Sequence, residues 1–199
     1  MELWNRLGAQ KDGLSIFTGL EAAYAEPARV YHTAEHINDC LAQLDLSRQP
    51  ARRPDEVEAA IWLHDAVYLP GAPDNEDGSA RLARRTLADA RAPAEVADRI
   101  AELVLATQHL AIPGEPDVAL LCDIDLSILG RTHEVFDEFE QRIRQEYAWV
   151  PEAVYRSARS EILAGFLRRR SIFQTDDFRD RYEATARSNL ARILEDLSS

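Results

Sequence analysis

Apolar residues recur at spacings of three and four along nearly the whole chain, while two-residue alternation bounded by hairpin turns is hard to find. That pattern predicts helices packed on one another, so the expected fold class is all-α. Leu3 to Ala9 and Leu14 to Ala25 read as a first helix pair, closed before Pro27, which cannot continue a helix interior. Thr33 can cap the next helix, whose stripe of Ile37, Leu41 and Leu44 shares its face with His36 and Cys40. A helix opening at Pro54 carries Val57, Ala60, Ile61 and His64 along one side, and Asp65 follows at once. Further helices are predicted over Ser79 to Ala90, Pro93 to His109, Glu115 to Leu129 with Gly130 as the stop, Thr132 to Tyr147, Pro151 to Arg170, and Asp177 to Leu197.

Between them, the string YLPGAPDNEDG at 68–78 concentrates proline, glycine and other turn formers and reads as a loop of the kind that carries function. The polar stretch from Arg48 to Pro54 is short enough to be a helix connection. With no internal repeat and no low-complexity linker, the 199 residues are expected to form a single domain, a helical bundle. Twenty-three basic residues against 35 acidic ones give a net charge of −12. Such a balance argues against coating a nucleic-acid polymer or an anionic membrane, because phosphate neutralisation needs a basic face. Lys11 is the only lysine, so phosphate recognition would fall to arginines wherever they converge. Two cysteines, Cys40 and Cys122, are too few for a disulfide framework and suit a reducing compartment. No apolar run approaches a membrane span and no leader-like start is seen, so the expected location is cytoplasmic. Nothing fixes the oligomeric state; a homodimer is allowed.

Five histidines occur, and a lone one on an apolar helix face is usually a satisfied core residue. The set is what points to chemistry: His36 and His64 on inward stripes, Asp65 beside the second, and Asp123 and Asp125 inside the apolar run ALLCDIDLSIL. Carboxylates in such a run need a metal, an arginine or helix-end amides, since burying an uncompensated charge costs several kcal/mol. Two imidazoles and two carboxylates make a mixed nitrogen and oxygen site suited to one divalent ion of manganese, iron, cobalt, nickel or zinc, with magnesium a further candidate, and able to generate hydroxide near neutral pH. Adjacent helical residues point about 100° apart, so His64 and Asp65 can share an ion only near a helix end.

YHTAEHI at 31–37, WLHDAVY at 62–68 and CDIDLSILG at 122–130 resemble the signature of the HD-domain phosphohydrolase superfamily. DNEDGSA at 74–80, ATQH at 106–109 and SIFQTDDFRDRYEATARSNL at 171–190 also resemble a family of metal-dependent HD phosphohydrolases, so the likeness runs from about Val30 to the C-terminus. It implies an HD-type all-helical bundle with a metal-site core over about 30–130 and C-terminal helices over about 132–197 packed on it. It further implies His36, His64 and Asp65 as metal ligands with Asp123 or Asp125 as the fourth. Asp125 is preferred, because it precedes Leu-Ser as the ligand aspartate does in the similar cyclic-nucleotide phosphodiesterases, and Asp123 is then a supporting residue. By the same likeness His32 is the general acid that protonates the leaving oxygen, a role suited to an imidazole near neutral pH.

Asn75 and Glu76 sit in the loop that could fold over the metal, Glu76 beside the attacking water and Asn75 near substrate. His109 closes a helix where it could support an inner ligand or touch a phosphate. His133 lies outside every motif and reads as a surface residue. Only His109 stands between the His-Asp pair and the last aspartate, where two-metal HD enzymes usually place two histidines, so a mononuclear site is expected. Arg29, Arg144 and the run Arg168 to Arg170 are the candidate phosphate cations. Arg144 is preferred, a turn from Tyr147 and Trp149, which could stack on a base or pack in the core. The implied activity is divalent-metal-dependent hydrolysis of a small phosphorylated metabolite or nucleotide, with metal-bound hydroxide attacking phosphorus. The alternatives are a non-catalytic, metal-stabilised ligand-binding or regulatory protein and a non-phosphate metal chemistry on the same scaffold.

Overall fold

The computed structural model describes residues 2–10, 13–47 and 51–198, and among these it is all-helical without a strand. The first part of the Arg48-to-Pro54 connection, residues 48–50, lies outside the described residues. A short α1 (Glu2–Arg6) and α2 (Gly13–Tyr24) lead to α3 (Ala34–Leu46), where the extended Thr33 accepts the Glu35 N–H and so starts the helix. Two helices open on proline, α4 (Pro54–Leu63) and α7 (Pro116–Asp125), at positions where the missing N–H has no partner to lose. Between them stand α5 (Asn75–Asp89) and α6 (Ala94–Ala106). A 3₁₀ turn, Leu126–Gly130, continues α7 and is followed by α8 (His133–Glu146) and α9 (Glu152–Leu167). The chain closes with the single turn α10 (Asp176–Phe178), a π turn over Arg179–Glu183, and α11 (Ala184–Ser198).

Several boundaries differ from expectation: α1 ends at Arg6 and not Ala9, α6 at Ala106 and not His109, and a 3₁₀ turn through Gly130 replaces the end of the helix expected to reach Leu129. The first turn of α5 begins at Asn75, inside the segment expected to be loop, because Asp74, Glu76 and Asp77 are the acidic residues that favour a helix N-terminus as well as a turn. The last helix is interrupted by the π turn, which lies where Tyr182 backs onto Gly130. A Cβ on Gly130 would stand 2.7 Å from the Tyr182 carbonyl oxygen, so only glycine allows the approach.

Ile37, Ile61, Ile100, Ile124 and Phe136 are wholly buried, one from each of α3, α4, α6, α7 and α8, so these helices meet in one core that Phe173, Phe178 and Leu190 extend through the C-terminal segment. Each such side chain contributes about 1.5–3 kcal/mol. Polar ties fix the register. The Asp123 carboxylate accepts from the backbone N–H groups of Gln174 and Thr175 and from the Thr175 hydroxyl at 2.7–3.0 Å. The Asn189 amide donates to the carbonyls of Leu129 and Arg131. Because α4 packs against α3, α6 and α7, its C-terminal end points into the interior, and that end is where His64 stands. No helix among the described residues is long and apolar enough to cross a membrane.

Candidate metal centre

Helix α4 stops at Leu63, so His64 sits at its C-cap with helical backbone angles and Asp65 follows it in a turn. The imidazole of His36 comes from the first turns of α3, and Asp125 is the last residue of α7. Three helix ends thus bring four donor atoms together. His36 Nε2 lies 3.2 Å from His64 Nε2, 3.3 Å from Asp125 Oδ1 and 3.6 Å from Asp65 Oδ2. His64 Nε2 lies 3.1 Å from Asp65 Oδ2 and 3.6 Å from Asp125 Oδ1. Neighbouring donors on an ion with bonds of about 2.1 Å are themselves about 3.0–3.4 Å apart, so the spacing of His36, His64 and Asp65, which group as possible ligands, fits one divalent ion, with Asp125 within 3.6 Å of both imidazoles. The donor chemistry agrees. His64 Nδ1 donates to the Ile61 carbonyl at 2.9 Å, which leaves Nε2 to face the cluster.

Burial opposes charge on His64, but Asp65 and Asp125 outweigh it and push the imidazole well above its ordinary range. Burial likewise acts to raise both carboxyl groups, and the surrounding histidines overcome it, holding Asp65 and Asp125 below the usual carboxylate range. Cys40 also approaches, its sulfur 3.8 Å from both ring nitrogens of His36, and it groups with His36 and Asp125. Burial pushes this thiol well up, with Asp125 and Asp65 adding to the effect.

His109 supports Asp125 from outside the cluster, its Nε2 lying 2.8 Å from Asp125 Oδ2. The backbone turns left-handed at His109, with φ of +55°, an uncommon conformation for a side-chain-bearing residue, at the end of α6. Arg169 donates to the carbonyl of that same residue.

His32 lies in the same cavity as His64, Asp65 and Asp125. Its Nδ1 lies 2.7 Å from Glu146 Oε2, which also accepts from the Tyr68 hydroxyl at 2.7 Å. The other oxygen of Glu146 accepts three backbone N–H groups, of Val30, Tyr31 and His32, at 2.7–3.0 Å. Burial works to raise the Glu146 carboxyl, but His32, these amides and Tyr68 prevail and bring it down to about 2. Tyr68 stacks on the imidazole with ring centroids 4.2 Å apart. Neither Glu146 nor Tyr68 was expected here. Glu146 is the last residue of α8, more than a hundred residues from its partner, and nothing local in the sequence marks the pairing.

Asn75 and Glu76 line the cavity from the first turn of α5. Asn75 braces the approaching loop by exchanging hydrogen bonds with the backbone of Leu69. Half-burial, aided by Asp65 and Asp125, pushes the Glu76 carboxyl up. The cavity, about 290 Å³, continues past Arg159 to Phe139, Ile143, Leu163 and Phe166. A larger space of about 380 Å³ between α2, α4 and α5 contains none of the candidate residues.

Several expected residues fall elsewhere. Asp123 faces residues 174–175, away from the histidines, and is fully buried by those contacts. Arg144, preferred as a phosphate cation, does not line the cavity. Its guanidinium donates to Glu152 and to the carbonyls of Tyr147 and Val150 and lies over the Tyr155 ring, which spends it on closing α8. Arg29 is spent too, on Glu26 and on the carbonyls of His32, Asp65 and Ala66. His133 is exposed, as expected, and its Nδ1 meets the Asn189 side-chain oxygen. No protein-family model, characterised protein or solved structure matches this chain.

Proposed function

We propose that the chain is a divalent-metal-dependent phosphohydrolase of HD type, acting on a small phosphorylated metabolite or nucleotide. One observation carries the proposal: the nitrogen and oxygen donors of His36, His64, Asp65 and Asp125 stand 3.1–3.6 Å from one another where paired, and His64, Asp65 and Asp125 share a cavity with the carboxylate-clamped imidazole of His32. A divalent ion bound there supplies Lewis acidity and an acidified water. His32, with Nδ1 committed to Glu146, keeps Nε2 for a leaving oxygen, and the carboxylate compensates the imidazolium that a proton donor must be. Glu76, whose carboxyl is pushed up by its surroundings, is suited to take the proton of the attacking water. His109 holds Asp125 in place through its second oxygen. Two buried, unpaired thiols, Cys40 and Cys122, support a cytoplasmic setting.

Elemental analysis of the purified protein, followed by a phosphate-release screen with added manganese, tests this. About one transition metal per chain with turnover of a nucleotide, sugar phosphate or other phosphate ester supports it. Metal without turnover of any such compound favours a ligand-binding protein stabilised by its ion, and no metal affinity removes the site.

A further inference from the structure

Arg159, halfway along α9, is the one arginine or lysine among the described residues that line the cavity shared by His32, His64, Asp65 and Asp125. The two oxygens of Glu140 accept from its Nε and Nη2, and the guanidinium lies over the Phe139 ring at 5.4 Å. Only 13% of the side chain is exposed, so burial opposes its charge, and Glu140 outweighs burial. A planar group held along one edge and laid over a ring has one orientation. Its other edge is uncommitted: Nη1 has no hydrogen-bond partner among the described residues and is not sealed from solvent. Glu140 does not line the cavity, so the edge that the cavity meets is the one carrying Nη1. Arg29 and Arg144 differ, since each has all three guanidinium nitrogens bonded within the protein. As a device for stability alone the Arg159 and Glu140 pair is poor, because apolar side chains can replace a buried ion pair at little cost. A preset donor with one edge to spare suits an anion that arrives from outside.

We infer that Arg159 is the anion donor of this cavity: Nη1 gives its N–H groups to an anionic oxygen of the substrate, on the reacting phosphoryl group or on a second acid group carried beside it. This rests on the phosphohydrolase proposal and supplies the cation that Arg29 and Arg144 do not. The carboxylates already in the cavity leave Nη1 available. None of Asp65, Asp125 and Glu76 forms an ion pair with Arg159, whose one such partner among the described residues is Glu140. A charge-assisted N–H to oxygen contact in a site mostly out of water is among the stronger hydrogen bonds, and a neutral ligand forfeits it.

Binding of inorganic phosphate and of phosphoglycolate, which adds a carboxylate, is measured by calorimetry on the full-length, manganese-loaded protein, and phosphate release is followed with phenyl phosphate, phosphoglycolate and ATP. The double variant Arg159→Met with Glu140→Met removes the donor without leaving a buried charge unpaired. It should keep its manganese and its thermal midpoint while binding an anion about 10- to 100-fold more weakly. A loss shared by phosphate and phosphoglycolate puts Nη1 on the phosphoryl group, and a loss confined to phosphoglycolate puts it on the second acid. Arg159→Lys keeps Glu140 paired but has no second edge to offer, so it should weaken the same anion and carries the test if the double variant does not fold. Unchanged affinity for both anions in a folded, metal-loaded variant overturns the inference, as does failure of the parent protein to bind either. Anion binding that depends on Arg159 without phosphate release from any compound removes the phosphohydrolase proposal and leaves the anion donor standing.

Discussion

Glu146 Oε2 stands 2.7 Å from His32 Nδ1, a contact between residues 114 positions apart that fixes which face of the imidazole turns into the cavity. The same carboxylate gathers the amides of residues 30–32, so one side chain shapes both the loop and the ring it carries. Glu146→Gln keeps the size but offers one oxygen where five hydrogen bonds are now accepted. It should lower kcat about 10- to 100-fold while leaving bound metal unchanged, as steady-state rates and elemental analysis on the same preparation would show. Loss of metal in this variant would mean that Glu146 acts on the donor cluster instead.

The acid limb of stability should carry the same signature. Glu146 has its carboxyl lowered to about 2 in the folded protein, below the ordinary glutamate value, so its contribution is complete above about 4.3 and fades as pH falls towards 2. The amount is at most about 3 kcal/mol. Urea midpoints between pH 6 and 2 should therefore fall more gently for Glu146→Gln than for the parent protein, and parallel curves would refute the assignment.

Removing a proposed donor and removing the proposed proton carrier should separate cleanly. His64→Ala takes one nitrogen from the four-donor set and is expected to lose metal and turnover together. His32→Ala leaves those donors untouched and should retain metal while losing turnover about 10²- to 10⁴-fold. Metal retained at full stoichiometry in His64→Ala would remove it from the ligand set.

His109 touches the cluster only through Asp125. Asparagine tolerates the left-handed backbone at this position, so His109→Asn tests the side chain without adding strain. Metal affinity is expected to weaken about 10- to 100-fold, measured by competition with a chelating dye, with little change in thermal midpoint of the metal-free protein.

The two aspartates of CDID should behave oppositely. Asp123 meets two amides and a hydroxyl of residues 174–175, so Asp123→Asn leaves donors without acceptors and should cost about 1–3 kcal/mol in denaturant unfolding while metal binding persists. Asp125→Asn should do the reverse, costing metal and sparing the C-terminal docking.

Helix existence was legible because α3, α6 and α8 show apolar stripes at helical spacing that local physics turns into buried faces. Boundaries were less so. The residues Asp74 to Asp77 suit a turn and a helix start equally, and in the fold they open α5. At the site, the contiguous motifs already held every residue of the four-donor cluster, since His64 and Asp65 are neighbours and a stripe marks His36. Partnerships formed by tertiary contact were not visible. Glu146 reads as one more acidic residue near the end of an exposed-looking helix, and Arg144 as a free cation, until the fold decides that the first turns inward and the second turns to Glu152.

Arg29 gives the site a mechanical property that its chemistry alone does not suggest. One guanidinium, almost wholly enclosed, grips the carbonyls of His32, Asp65 and Ala66, and its planar fork cannot change the spacing of its own nitrogens. The segment carrying His32, the proposed acid, and the one carrying Asp65, a proposed metal donor, are therefore bolted to one rigid plate. When surrounding helices breathe, the two travel together, so mutations remote from the cavity should lower the fraction of intact molecules and leave the alignment within each intact molecule untouched.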